Sequence, residues 1–176
     1  NTHIETILNI AKSDNSPLVL DKKQLAVLPI LKDVIENIQL KYPESSIQIQ
    51  SPKTEISIEA DTFHFTNLVY NLLDNAIKYC EKKPEIVISI SEKSNQMQLD
   101  FTDNGIGISN KNLPFIFDKF YRIPSTKSNE VNGFGLGLYY VKKICTLHHW
   151  KISAKNNAIQ GITISILIPI LNHIEA

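Results

Sequence analysis

The sequence predicts an α/β fold. It is expected to be a two-layer sandwich in which a mixed, mostly antiparallel sheet carries about three helices on one face, with a long lid loop and a short helical stub at its front. Helical spacing of apolar residues recurs along the chain, and the stretches between alternate every second residue. The order of these elements implies a mixed sheet with its helices on one side. At 176 residues, 43% of them apolar, the chain buries a real core, so one domain with a small appendage is expected.

The elements follow in order. Ile4, Ile7, Leu8 and Ala11 have helical spacing, and the segment Ser13 to Pro17 breaks it. Residues 1–16 are therefore read as the end of a helix that belongs mostly to something upstream, and residues 17–176 as the domain. The chain opens at Asn1 and its only methionine is Met97, which fits a piece cut from a longer protein. A helix from about Leu28 to Leu40 turns Ile30, Leu31, Val34, Ile35 and Ile38 inward. Short strand patterns at Ile47 to Gln50 and Glu55 to Glu59 flank a Ser-Pro turn signal, and a hairpin is expected there. Asp61 and Thr62 offer caps for a long helix reaching Tyr79, packed through Phe65, Leu68, Val69, Leu72, Leu73, Ala76 and Ile77. Strands follow at Glu85 to Glu92 and Met97 to Asp103. Asn104 to Asn132 is polar and irregular, the length of a functional lid. A helix develops within Gly133 to Leu147, and strands near Trp150 to Ala154 and Gly161 to Ile168 close the domain.

Bulk properties narrow the function classes. Lysine plus arginine equals aspartate plus glutamate at 18 each, so no global field draws the chain to nucleic acid or an anionic membrane, and any phosphate-binding charge must be local. Cys80 and Cys145 lie far apart and match no metal spacing; a reducing, cytoplasmic setting fits them. The most apolar stretch, Gly161 to Leu171, is far shorter than the ~20 residues of a spanning helix.

Four polar features carry chemistry. Asn71, Asn75 and Lys78 lie at i, i+4 and i+7, a polar stripe on a largely apolar helix. Mg²⁺ takes oxygen ligands and keeps several waters, so amide oxygen from Asn75, backed by Asn71, suits it when phosphate completes the shell. Taken alone, the stripe also reads as a solvated helix face. Asp103-Asn104-Gly105-Ile106-Gly107-Ile108 stands at a strand end, where glycines admit a ligand and a carboxylate can accept from an adenine amino group. Alone, it also reads as a turn. Gly133-Phe134-Gly135-Leu136-Gly137-Leu138 leads into a helix whose N-terminal amides suit a phosphate chain. Five of the six glycines fall in these two clusters. Arg122, the only arginine beside 17 lysines, sits in the lid with a planar fork suited to phosphate oxygens. Phe115, Phe117, Phe120 and Tyr121 read as an apolar anchor for that lid. No histidine is read as catalytic, and His148-His149 reads as a helix end rather than a zinc site.

In this order, the motifs over roughly residues 21 to 170 resemble the histidine kinase catalytic domain of the gyrase, heat-shock chaperone and mismatch-repair ATPase superfamily, the Bergerat fold. Asn71 to Tyr79 is similar to its N box, Asp103 to Ile108 to its first glycine box, Phe117 to Arg122 to its F box, and Gly133 to Leu138 to its second glycine box. The resemblance implies ATP and Mg²⁺ as ligands. Asn75, helped by Asn71, would hold the metal. Lys78 would meet phosphates, Tyr79 would flank the adenine, Asp103 would bind its amino group, and Arg122 would act on the γ-phosphate. Residues 104 to 132 become the ATP lid.

The same resemblance makes residues 1 to 12 the end of a dimerisation helix and places the phosphoacceptor histidine upstream. The implied partners are the dimerisation domain of the same kinase, in a homodimeric and membrane-anchored bacterial parent with this part in the cytoplasm, and a downstream response regulator. No nucleic acid and no membrane contact by this fragment is expected. The implied activity is transfer of the γ-phosphoryl group to that histidine, with Arg122, Asn71 and Lys78 as the catalytic set. The alternatives are a conformational ATPase and a nucleotide-sensing module. Superfamily members that hydrolyse ATP directly tend to carry glutamate where Asn71 stands, which speaks against the first. His148-His149-Trp150 departs from the family, which usually places a glycine pair there, so that turn must be made differently.

Overall fold

A computed structural model describes residues 18–93, 95–123 and 134–170. The stub expected over residues 1–16, the lid segment 124–133 with Gly133, and residues 171–176 lie outside the described residues.

Strand β1 (Lys22–Ala26) is followed by helix α1 (Val27–Lys41), β2 (Ser46–Gln50), β3 (Ser57–Asp61), α2 (Thr62–Lys78), β4 (Glu85–Lys93) and β5 (Gln96–Asp103). A short 3₁₀ turn at Leu113–Phe115 precedes α3 (Gly137–Leu147), β6 (Lys151–Asn156) and β7 (Ile162–Pro169). The sheet order β2-β4-β5-β7-β6 has one parallel pair, β2 with β4, and is otherwise antiparallel. This is the expected mixed, mostly antiparallel sheet with three helices.

The sheet chooses its inner face by register. Ile88, Phe101 and Ile164 form one cross-strand row and Ile90, Leu99 and Ile166 the next, all buried. The alternate row Ser89, Asp100 and Ser165 points the other way and is polar. Because side chains alternate every residue, this pattern admits one register. The helices cover the apolar face with Leu31, Val34 and Ile38 from α1, Phe65, Leu68, Leu72 and Leu73 from α2, and Val141 and Ile144 from α3. Asp61 caps α2 as expected, its Oδ1 accepting from the His64 N–H at 3.0 Å.

The expected hairpin does not form. β2 runs parallel to β4, setting Ile47 and Ile49 beside Ile86 and Ile88, while β3 pairs antiparallel with β1 in a separate two-stranded sheet. Apolar matching across the inner face overrides nearness in sequence. β1 carries no strand pattern in the sequence, because Lys22 to Ala26 contains a single buried apolar residue, Leu25, opposite Ile58. Its strand character comes from its partner.

The turn after α3 is made by histidine. His149 has φ +60°, its N–H donates to Thr146 O and the Trp150 N–H to Cys145 O, which is a Schellman ending with His149 in the usual glycine place. His148 is the C-cap, and its ring stacks on Trp150 at 4.4 Å.

Candidate functional site

The site is assembled where α3 begins against the middle of α2. Gly137, the first residue of α3, lies so near the asparagine pair that a methyl group on it would stand 3.1 Å from Asn71 Oδ1 and 3.5 Å from Asn75 Nδ2. The half-buried asparagines and the positive end of the α3 dipole therefore converge on one place. The Asn71 Nδ2 donates to Asn67 O at 2.7 Å, which fixes the amide and leaves its oxygen directed at α3.

Lys78 is held differently. Its Nζ lies 2.5 Å from Asp74 Oδ2, while Asp74 Oδ1 accepts from Lys41 at 3.1 Å and from the Tyr42 hydroxyl at 2.9 Å. Burial alone would raise the Asp74 carboxyl; the hydrogen bond and charge of Lys78, then Lys41 and Tyr42, more than offset it and hold the group below the usual carboxylate range.

The second part of the site is built on Asp103, the last residue of β5. Its Oδ1 accepts from both Gly105 N at 2.8 Å and Ile162 N at 3.2 Å. Burial pushes its carboxyl above the usual range against those two donors. Tyr79, the C-cap of α2, takes the Ile106 N–H on its carbonyl at 3.0 Å. Tyr79 and Ile106, joined by that backbone bond close to Gly105, are 44% and 57% exposed, two large side chains without a covering layer. After Gly107, Ile108 exchanges two hydrogen bonds with the Asn156 side chain, N–H to Oδ1 at 2.9 Å and Nδ2 to O at 2.6 Å.

Sequence reasoning missed Gly161, Asn156 and Asn157. Gly161 at φ +80° lies against the Asp103 main chain, and Asn157 Nδ2 donates to Asp103 O at 2.9 Å. The lone glycine outside the two clusters was the available signal for the first; nothing in the sequence marked the asparagines.

The lid is stitched to the second glycine cluster. Phe120 has φ +62° and its N–H donates to Gly135 O at 3.1 Å. A methyl on Gly135, itself at φ +69°, would come 2.7 Å from the Phe120 carbonyl carbon, so the backbone of the F-box segment occupies the place of that side chain. The aromatic anchor is narrower than expected. Phe117 is buried with Ile116, whereas Phe115 and Phe120 are 48% and 62% exposed. The left-handed backbone at Phe120 swings its ring outward. Tyr121 donates its hydroxyl to Asn112 Oδ1 at 3.1 Å, Arg122 is exposed beside it, Phe134 is exposed, Leu136 is buried and Leu138 half-buried.

The residues present fit both expected ligands. Two amide oxygens at a helix N-terminus suit a hard cation shared with phosphate oxygens, and among the described residues no cluster of three His, Cys, Asp or Glu offers a rival cage. A carboxylate beside exposed Tyr79 and Ile106 suits a planar base with an amino group. No described helix is long and apolar enough to cross a membrane.

Comparisons with known proteins agree with this layout. The family model described as histidine kinase-, DNA gyrase B-, and HSP90-like ATPase matches residues 60–172. The sensor protein RprX of Bacteroides fragilis is 34% identical over 174 residues, covering 97% of this chain and 34% of the relative. The chain thus spans about a third of the length of that relative. Full-length ShkA, solved in complex with AMPPNP, superposes with a TM-score of 0.80 at 19% identity, covering 96% of this chain and 35% of that one. Histidine kinase ThkA, solved in complex with the response regulator protein TrrA, gives a TM-score of 0.76 at 19% identity over 97% of this chain and 48% of its own. Motif order, sheet topology and the family match converge: the chain belongs to the histidine kinase-, DNA gyrase B- and HSP90-like ATPase family, among relatives named as sensor histidine kinases.

Proposed function

We propose that this chain binds Mg-ATP in the cleft between α2, α3 and the segment after β5, and presents the γ-phosphoryl group to a histidine of its own kinase's dimerisation domain. The observation that carries this is the meeting of Gly137 with Asn71 and Asn75, which puts a helix N-terminus and two amide groups where a triphosphate needs them. Asp103 accepts the adenine amino group on Oδ2, with Tyr79 and Ile106 against the base. Asn75 and Asn71 hold Mg²⁺, which supplies neutralisation of phosphate charge when bound. Lys78 reaches phosphates by leaving Asp74, and Arg122 meets the γ-phosphate from the lid. The Gly105, Gly107 and Gly135 backbones line the path.

In the transfer, an imidazole nitrogen attacks phosphorus, the N–P bond forms as the bond to the bridging oxygen breaks, and ADP departs. Positioning and charge do most of such a reaction. Residues 1–16 are the end of the dimerisation helix in this reading, and a response regulator receives the phosphoryl group, as the ThkA complex suggests.

A conformational ATPase is disfavoured. Asn71 offers no carboxylate to activate water, and Asp74, the acid next to Asn75 in sequence, is committed to Lys78, Lys41 and Tyr42. Calorimetric titration with ATP, with and without Mg²⁺, followed by addition of a separately expressed dimerisation domain, tests the proposal. Mg-dependent binding with acid-labile phosphohistidine supports it. Binding without transfer favours a nucleotide-sensing module, and no binding removes the site assignment.

A further inference from the structure

A buried polar chain runs across the helix pair that forms the cleft. Tyr140, in the opening turns of α3, is fully buried, and its hydroxyl lies 2.9 Å from His64 Nδ1 in the first turn of α2. The side chain of Asn67, 2% exposed, also hydrogen-bonds that hydroxyl and donates to Phe63 O at 3.0 Å. The Asn67 carbonyl in turn accepts the Asn71 amide at 2.7 Å. A route of three hydrogen-bonded residues, Tyr140, Asn67 and Asn71, thus runs from the start of α3 into α2, with His64 as a branch from Tyr140.

Leu68 of α2 and Val141 and Ile144 of α3 add apolar packing in the same core. Dispersion and burial are non-directional and tolerate small slides of one helix along another. A buried hydrogen bond has a fixed length and direction, and breaking it strands polar atoms away from water. Tyr140 lies three residues after Gly137, so a slide of α3 that broke its hydroxyl contacts would also move Gly137 from Asn71 and Asn75.

We infer that Tyr140, gripped by His64 and Asn67, is a positioning residue that sets the gap between the α3 N-terminus and the asparagine pair, and so governs affinity for the phosphate end of the nucleotide. This rests on the nucleotide reading above. The base end is held by other bonds: Asp103 Oδ1 accepts from the Gly105 and Ile162 N–H groups, and the Tyr79 carbonyl from Ile106 N–H.

With His64 in the tautomer that carries its proton on Nε2, the Tyr140 hydroxyl donates to Nδ1, and a second proton on the ring takes away that acceptor. Burial lowers the affinity of His64 for that proton, and the Asp61 charge opposes the effect. The ionisable groups around it are Asp61 at the end of β3, Tyr140 and His148 on α3, and Lys22 behind His148. His64→Asn keeps an oxygen acceptor near the Nδ1 position and cannot titrate.

The test is calorimetry on the whole chain with Mg-ATP and, separately, adenosine, which reads the base end alone. Tyr140→Phe is expected to weaken ATP about tenfold while adenosine changes less than twofold. Between pH 8 and pH 5.5 the ATP-to-adenosine affinity ratio of the unaltered chain is expected to fall, and that of His64→Asn to fall less. If Tyr140→Phe lowers the melting temperature but leaves the ratio unchanged, the role is structural and the inference is overturned while nucleotide binding stands. If the unaltered chain binds neither ligand, the nucleotide reading itself fails and takes the inference with it.

Discussion

Gly161 stands so close to Asp103 that a methyl group on it would lie 1.9 Å from the Asp103 carbonyl oxygen. Its φ of +80° also falls where side chains are rarely accepted. Gly161→Ala is therefore expected to cost at least about 2 kcal/mol of stability through clash and backbone strain together. Urea unfolding reads the loss directly, and adenosine affinity should fall with it because Asp103 must move. A variant as stable as the parent would contradict the packing.

Asp103→Asn retains size and burial but exchanges an acceptor for a donor. Loss of a charge-assisted bond to the adenine amino group is expected to weaken both adenosine and ATP about tenfold or more. Weakening of ATP alone would place Asp103 at the wrong end of the cleft.

Asn75→Ala is expected to abolish the Mg-dependent part of ATP affinity while leaving adenosine binding and the fold intact, as calorimetry and circular dichroism would report. Arg122→Ala should lower phosphotransfer by roughly a hundredfold and affinity by much less, since a lid arginine acts best on charge that develops during reaction. Equal losses in binding and transfer would refute that division.

His149→Gly is expected to stabilise the chain by about 0.5–1 kcal/mol, since glycine takes the left-handed C′ position of α3 without the strain a Cβ brings. A higher urea midpoint at unchanged slope is the signature. A lower midpoint would mean that the histidine ring contributes more than its backbone costs.

Acid should destabilise the fold in two separate windows. Burial, first among the causes, lowers the pKa of both His64 and His148 from 6.5. His148 Nε2 accepts the Asp61 N–H at 3.0 Å while its Nδ1 faces Ile144 O at 2.9 Å, so the folded ring is neutral. The unfolded chain binds those protons more readily, so stability declines as pH drops below about 6.5, until the folded histidines also protonate. Asp74, with its pKa lowered, adds a loss only in the more acidic range, as pH falls below the ordinary carboxylate value toward its folded one. Urea unfolding across pH 8 to 3 should resolve both declines. A flat profile between pH 8 and 5 would be incompatible with two buried neutral histidines.

Much of this protein was determined by local sequence. α1 and α2 are visible because their buried residues recur at helical spacing, and α2 announces its start in Asp61. β4, β5 and β7 are visible because isoleucine, leucine and phenylalanine alternate with polar residues, as any strand with one buried face requires. The site motifs were legible because backbone approach to a ligand demands glycine, and these glycines cluster.

What tertiary structure decided is partnership. Whether Ile47 and Ile49 pair with β3 or β4, and whether Lys22 to Ala26 becomes a strand, depends on surfaces far away in sequence. Asn156 reaches Ile108 and Asn157 reaches Asp103 only because β6 and β7 bring them there, and Lys78 is held by an Asp74 that Lys41 and Tyr42 also grip. The same holds for Tyr140, whose apolar ring fits its helix pattern while its hydroxyl finds His64 and Asn67 across a helix interface. Periodicity records which face of an element is buried; hydrogen bonds between elements depend on distances that exist only once the chain has folded.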